Sequence, residues 1–445
     1  MLNINGDRTD VVVGGGLAGL TAACYLARGG RAVTLLEKSA TVGGRASTQT
    51  REGFAFNRGI HALYCGGAGE EVLKELEVPY SGGRPRRSFV LHQGKLSVAP
   101  ADPVTLLTTD LLGPGDKLAL LRLLMSVPRM ATSDVGHVSV QEWLEQHVQR
   151  PRVRAFVAAL ARTFVYSAAL DLVSAEVFVR KLQTISRHPV LYLDGGWQTL
   201  IHGLCTVAER AGARIVTGAS VEAVEHAGGR VQGVRLRDGS RIRSESVVLA
   251  MTPAQALRLV DTGAYPALRQ IVDSIVPVPV ACLDVALRRL PVPRFPIVQD
   301  VDKPRFMSTQ SLYSRIAPEG GALIHTFKQL DPTRPGDPHQ DERDLEELLD
   351  TVQPGWRDVL VKRVYLPRIE AVGMLPTAAG GGFAGRPGPE VAGLPGLYLV
   401  GDWIGPEGFL SDASFASARA VAQLILETQH TPALPVQRVR HVSAV

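Results

Sequence analysis

Three glycines and an acid form the clearest chemical pattern in the sequence. Gly14, Gly16 and Gly19 follow the apolar run 11–13 with the spacing Gly-x-Gly-x-x-Gly, and Glu37 stands about 20 residues further on. That pattern suits a dinucleotide. Gly14 permits a tight turn, Gly16 lets backbone approach a pyrophosphate, and Gly19 lets a helix lie close to a sheet. Free N–H groups and the helix dipole then meet the phosphates, while Glu37 is placed to accept hydrogen bonds from an adenosine ribose. A second anchor lies near the other end, where the apolar run 396–400 meets Gly401 and Asp402 ahead of a small-residue helix, giving another close backbone approach and another dipole. Cys24, Cys65, Cys205 and Cys282 form no CxxC or Cys/His cluster, so neither structural zinc nor a disulfide framework is expected, and no metal site.

The elements that must position these residues follow from periodicity. Residues 11–13 read as a buried strand, Leu17, Leu20, Ala23, Tyr25 and Leu26 as one helix face, and 31–37 as a second strand. The loop after Glu37 carries Gly43, Gly44 and Arg45, a flexible approach beside a fixed cationic fork. Alternation over 54–56 reads as a strand delivering Gly59, Ile60 and His61 to a site; His61 reads first as a buried structural histidine and second as a catalytic group. Residues 81–189 change character, with helical patterns over 115–130, 139–149, 152–164 and 174–182. Two leucine-dense segments there, 104–112 and 118–125, lie near Lys117, Arg122 and Arg129. They suit packing within their own domain, or a membrane interface. A glycine turn at 195–196 enters a helix running to about residue 211. A strand meander is expected over 213–216, 221–225, 231–237 and 247–250, and further strands over 277–287, 322–327 and 361–366, with an acidic solvated helix over 341–350. The glycine-rich stretch 378–388 reads as a mobile loop.

At 445 residues the chain exceeds one ordinary domain. Its 45% apolar and 20% charged content describes a soluble protein with material for a core. A net charge of +5 allows weak attraction to anionic lipids, and no motif supports nucleic-acid binding. The first strand begins too early for a signal peptide, and no apolar run reaches about 18 residues. A cytoplasmic protein is expected, with peripheral membrane contact as an option.

The glycine turn, the acid at 37, the Gly43-Gly44-Arg45 loop and the Gly401-Asp402 anchor together resemble the FAD-dependent oxidoreductase family of amine oxidases, protoporphyrinogen oxidase and phytoene/carotenoid desaturases. The resemblance implies an α/β fold: a discontinuous Rossmann-like FAD-binding domain built from 1–80, 190–255 and 385–428, with an inserted α+β substrate domain (81–189 and 256–384) carrying a helical cap; the terminal stretch 429–445 reads by itself as a disordered, flexible tail. It implies that Ala18, Lys38, Gly43, Gly44 and Arg45 lie along the FAD pyrophosphate and flavin, that Gly59, Ile60 and His61 line the isoalloxazine, that the Val221 backbone contacts adenine, and that Met251 lies close by. Asp402 inherits the ribityl and pyrophosphate contacts, and the backbone of Asp412 and Ala413 faces flavin N1 and O2. FAD is expected to be non-covalent, because no cysteine or histidine stands in an attachment motif. Two departures bear on substrate: the strand 277–287 lacks the lysine of amine oxidases, and Leu410 or Ser411 replaces their aromatic cage residue. The first expectation is therefore dehydrogenation or desaturation of a hydrophobic small molecule, carotenoid-, isoprenoid- or porphyrinogen-like, by hydride transfer to flavin N5. An amine or amino-acid oxidase comes second and a redox-neutral double-bond isomerase third. His61, His325 and Lys328 are the candidate bases, and oxygen or a quinone is the expected acceptor.

Overall fold

The structure, a computed structural model, describes residues 9–260, 263 and 265–428; the expectation for the tail 429–445 lies outside these. Its first layer is a parallel five-stranded sheet ordered Arg214–Thr217, Val33–Glu37, Asp10–Val13, Val247–Leu249, Leu397–Leu399. Three of these strands read as unbroken apolar runs because parallel strands are covered on both faces, and Val11, Val12, Val247, Val248 and Leu249 are fully buried. One face packs against helices Leu17–Arg28, Gln198–Arg210 and Ser411–Thr428 through Leu20, Ala23, Leu200, Leu204, Phe415 and Val421. The other face packs against an antiparallel meander, Val221–Ala227, Arg230–Leu236 and Arg241–Arg243, and the helix Pro253–Leu259.

The expected four-stranded meander is thereby corrected. Its first and last members, Arg214–Thr217 and Val247–Leu249, are parallel-sheet strands, and a third strand, Arg241–Arg243, completes the meander. Short polar-flanked runs carry no mark of which sheet they join. The parallel sheet thus draws on three separated stretches of chain, which brings the ends of Asp10–Val13 and Leu397–Leu399 to the same side of the molecule.

A second, seven-stranded sheet runs Leu360–Val372, Val278–Leu287, Ala322–Gln329, Arg305–Ser308, Ile297–Asp300, Phe89–His92, Lys95–Val98. Its last hairpin opens the stretch read from sequence as helical, and Phe89–His92 pairs parallel with Ile297–Asp300. One face carries Leu283, Val285 and Ile324 against the helix Pro338–Val352, which buries Leu345, Leu348 and Leu349 beneath its acidic side. The opposite face carries Val278, Val280, Cys282, Phe306 and Phe327 against helices Pro114–Ser126, Val140–His147, Pro151–Val165 and Ala175–Ile185. The glycine-rich stretch at 378–388 is a second correction. It forms a short helical turn, Gly382–Gly385, with Phe383 buried against the cap and its N–H donated to Glu176 Oε2 at 3.0 Å. One buried aromatic fixes what composition alone describes as loose.

Candidate active site

The glycine turn is shaped by exclusion. Gly14 has φ +111°, and a Cβ there would lie 2.3 Å from the Ala250 carbonyl oxygen; a Cβ on Gly19 would lie 1.9 Å from the Gly14 carbonyl oxygen. Strand and helix cannot approach this closely with any side chain between them. Gly16 differs, because nothing stands within 4 Å of its Cβ position, so its face is open to a ligand. Gly16 caps the helix Leu17–Arg28 without a side-chain bond and Ala18 lies buried in its first turn, leaving the first-turn N–H groups for an anion. Glu37, buried at the end of its strand, accepts hydrogen bonds from Gly15 N–H and Ser39 N–H, each 2.8 Å long. Each carboxylate oxygen keeps lone-pair capacity for a ribose hydroxyl. The backbone leading to Val221 is stitched to the same strand end, with Ala219 N–H donating to Glu37 O and Gly218 N–H to Ser39 O, both 2.9 Å. Lys38 is exposed beside them.

The two ends of the chain are clamped together. Gly43 N–H donates to Gly15 O at 2.8 Å, docking the Gly43–Arg45 loop on the glycine turn. Arg45 then reaches Asp402 with two parallel hydrogen bonds of 2.8 and 2.6 Å. Asp402 is buried and also accepts from Gly373 N–H at 2.8 Å. Burial alone would raise its pKa, but Arg45 outweighs that and holds the carboxyl below the usual carboxylate range. Gly401 N–H donates to Ser417 Oγ at 3.0 Å, tying this strand end to the helix Ser411–Thr428. Asp412 and Ala413 lie buried in that helix's first turn, with Gly69 N–H donated to Asp412 Oδ1 at 3.0 Å. The Met251 carbonyl accepts from Trp403 Nε1 at 3.0 Å. Glu370, unread in the sequence, has a buried carboxyl oxygen without a partner beside Arg45 and Asp402, and burial pushes its pKa up. An open Gly16, a fixed acid, a half-buried arginine and two helix N-termini fit FAD.

On the substrate side, Gly59 has φ +89°, and its Cβ position lies 2.6 Å from Ile369 Cδ1 and 3.7 Å from Cys282 Sγ. This places Gly59, Ile60 and His61 against the cap-facing side of the seven-stranded sheet. His61 Nδ1 is 2.9 Å from the Gly59 carbonyl oxygen, and its ring lies 5.0 Å from that of Trp197. Burial lowers its pKa to about 4, with the nearby His325 adding in the same direction. His325 is fully buried, its Nδ1 2.9 Å from Asp284 Oδ1, and strand alternation puts the pair on the face of Cys282 and Phe327.

Lys328 is a correction. One residue further from Phe327, it points to the opposite face, where Nζ holds Asp341 at 2.8 Å and Asp344 at 2.5 Å. Partial burial lowers its pKa, the two carboxylates outweigh this and raise it, and the group stays charged away from the site. The structure brings in residues that the sequence did not suggest. Lys181 from the cap is buried with its ammonium 3.4 Å from the Tyr64 ring centroid, and burial lowers its pKa to about 8 against the pull of Asp412. Tyr166 stacks on Phe327 at 5.3 Å, and Tyr192 meets Tyr313 at 4.9 Å, with the Tyr313 hydroxyl bonded to Ser308 Oγ. Each comes from a different element, so no local spacing marks them. Among the described residues no group of three or more His, Cys, Asp or Glu side chains could hold a metal ion.

Comparisons with known proteins bear on the fold and the family. The chain is 24% identical over 291 residues to 4,4'-diapolycopene oxygenase from Methylomonas sp, covering 58% of each chain. It is 25% identical over 418 residues to coproporphyrinogen III oxidase from Propionibacterium freudenreichii subsp. freudenreichii, covering 77% of this chain and 76% of that one. The first of these alignments thus spans less than two thirds of its relative's length. The crystal structure of an oxidoreductase from Methanosarcina mazei superposes with a TM-score of 0.75 at 21% identity, covering 93% of this chain and 100% of the other, which shows a shared fold. The family model described as flavin containing amine oxidoreductase matches residues 17–426. The chain belongs to the flavin containing amine oxidoreductase family.

Proposed function

We propose that the protein dehydrogenates or desaturates a hydrophobic small molecule of the carotenoid, isoprenoid or porphyrinogen kind, passing electrons on to oxygen or a quinone. The observation that carries this reading is the sheet face toward the cap. Val278, Val280, Cys282, Phe306 and Phe327 form one apolar cluster with Tyr166, Phe178 and Phe409. The strand Val278–Leu287 offers no lysine there. An apolar, lysine-free face of this kind suits an apolar substrate better than a cation. The names of the two relatives, one a diapolycopene oxygenase and one a coproporphyrinogen oxidase, support the same substrate classes.

FAD supplies the two-electron acceptor that takes hydride from a substrate carbon. The chain's own residues do the rest. Gly14, Gly16, Gly19, Glu37, Lys38, Gly43, Gly44 and Val221 would hold the adenosine and pyrophosphate end, and Arg45, Asp402, Met251 and the backbone of Asp412 and Ala413 the flavin end. The cap helices exclude water. Burial keeps His61 neutral, with the Gly59 and Arg45 backbone carbonyls both beside its ring as acceptors, and its place against the sheet face makes it the candidate group to meet the substrate. A second reading, amine oxidation, is favoured by Lys181, whose lowered pKa provides a cap-borne lysine in place of the missing strand lysine. Product masses after anaerobic turnover with an added quinone as the electron acceptor test the main reading. Loss of two hydrogens per turnover supports it, while a product of unchanged mass assigns redox-neutral isomerisation instead.

A further inference from the structure

The helix Pro114–Ser126 is apolar on two sides. Leu120 and Leu123 pack into the cap core, continued by Val127, whereas Leu118, Leu121, Leu124 and Met125 face outward and are exposed. A helix apolar all round is ordinarily covered all round. The preceding helix, Pro103–Thr108, repeats the arrangement: Leu106 is buried, while Val104 is 69% and Leu107 74% exposed. Lys117 Nζ donates to the Leu107 carbonyl at 2.6 Å, holding the two helices side by side. Beyond these six side chains, only Leu312 and Val361 are exposed large hydrophobics among the described residues. The apolar exposure of the molecule is therefore concentrated on one patch, and a patch of this kind marks an interaction surface.

Charge selects the occupant. The acids between 102 and 126 are Asp102, Asp110 and Asp116. Asp102 caps the first helix, Asp110 is paired with Lys95, and Asp116 lies 3.8 Å from Arg150. Arg122 and Arg129 are exposed among and beside the leucines. Outward leucines with a basic rim fit the boundary between acyl chains and anionic headgroups.

We propose that this face docks the protein on an anionic lipid bilayer, with Val104, Leu107, Leu118, Leu121, Leu124 and Met125 entering the headgroup boundary and Arg122 and Arg129 meeting lipid phosphates. The proposal stands on the surface alone and does not depend on the substrate reading. Among the described residues no helix is long and apolar enough to cross a membrane, so the contact is interfacial. The test uses the full FAD-loaded chain in flotation with vesicles of phosphatidylcholine, with and without phosphatidylglycerol, alongside sedimentation analysis without lipid. The wild type floats with anionic vesicles. The combined variant Leu118→Ser, Leu121→Ser, Met125→Ser loses binding by about tenfold or more at unchanged flavin content and melting temperature. Arg122→Glu with Arg129→Glu abolishes the preference for the anionic lipid and its salt dependence. Equal flotation of the triple variant and wild type overturns the proposal. So does a wild type that ignores vesicles, whether monomeric or a dimer that the triple variant dissociates; the dimer assigns the face to a second copy of the chain.

Discussion

At the scale of single residues, the site rests on groups whose partners are fixed before any ligand arrives. Glu37 is held by two backbone N–H groups, so its oxygens are oriented toward one location. Glu37→Ala should weaken FAD binding by about 1.5–3 kcal/mol if the ribose bonds are charge-assisted. Equilibrium dialysis of apoprotein measures this, and unchanged affinity assigns the carboxylate to the turn alone. Lys181 gives a prediction in pH. Burial brings its pKa to about 8 from an ordinary 10.5. Between those values the unfolded chain binds more protons than the folded one, so stability rises with pH across the window, and below it the buried charge subtracts in full. Denaturation of wild type and Lys181→Met from neutral to strongly alkaline pH should show the difference moving toward the wild type through this range. A pH-independent difference contradicts the assignment. Lys181 was illegible in the sequence because a lysine in an amphipathic helix ordinarily reads as solvated; its burial depends on Tyr64 and Asp412, which are distant in the chain.

Elements convert these residues into a site through close approach, and the glycines separate two kinds of closeness. Gly19 is closed off by the protein itself, whereas Gly16 is open. Gly19→Ala should therefore cost about 1–3 kcal/mol of folding stability or more, as overpacking does. Gly16→Ala, at an ordinary φ of −85°, should leave apoprotein stability within about 0.5 kcal/mol, yet abolish tight FAD binding because its methyl occupies the phosphate approach. Paired thermal melts and flavin titrations distinguish the two, and equal destabilisation by both substitutions contradicts this division. The glycine turn and the Gly401-Asp402 anchor were legible because sterics write them as local spacing. The sheet membership of Arg214–Thr217 and Val247–Leu249 was not, since the choice between parallel sheet and meander is made by distant strands. Lys328 failed as a candidate for a related reason: a one-residue step along a strand reverses the face, and only the pairing with Ala281 and the packed helix Pro338–Val352 reveals which face is which.

Across the whole molecule, one parallel sheet carries one complete dinucleotide array. The second glycine-rich stretch folds into the turn Gly382–Gly385, buried under Phe383, instead of opening a helix after a parallel strand. NADH and NADPH should therefore leave the flavin band intact over many seconds in stopped flow, since a nicotinamide would need a second site of that kind. Rapid, saturable bleaching by either points to a reductase. On the proposed reading, electrons enter from the organic substrate, between the apolar sheet face and the helices packed on it. Anaerobic titration of the oxidised protein with apolar polyenes, porphyrinogens and amines, following the flavin absorbance, measures that claim most directly. The account predicts stoichiometric bleaching by a polyene or porphyrinogen and none by amines. Bleaching by an amine, with the apolar compounds inert, contradicts it.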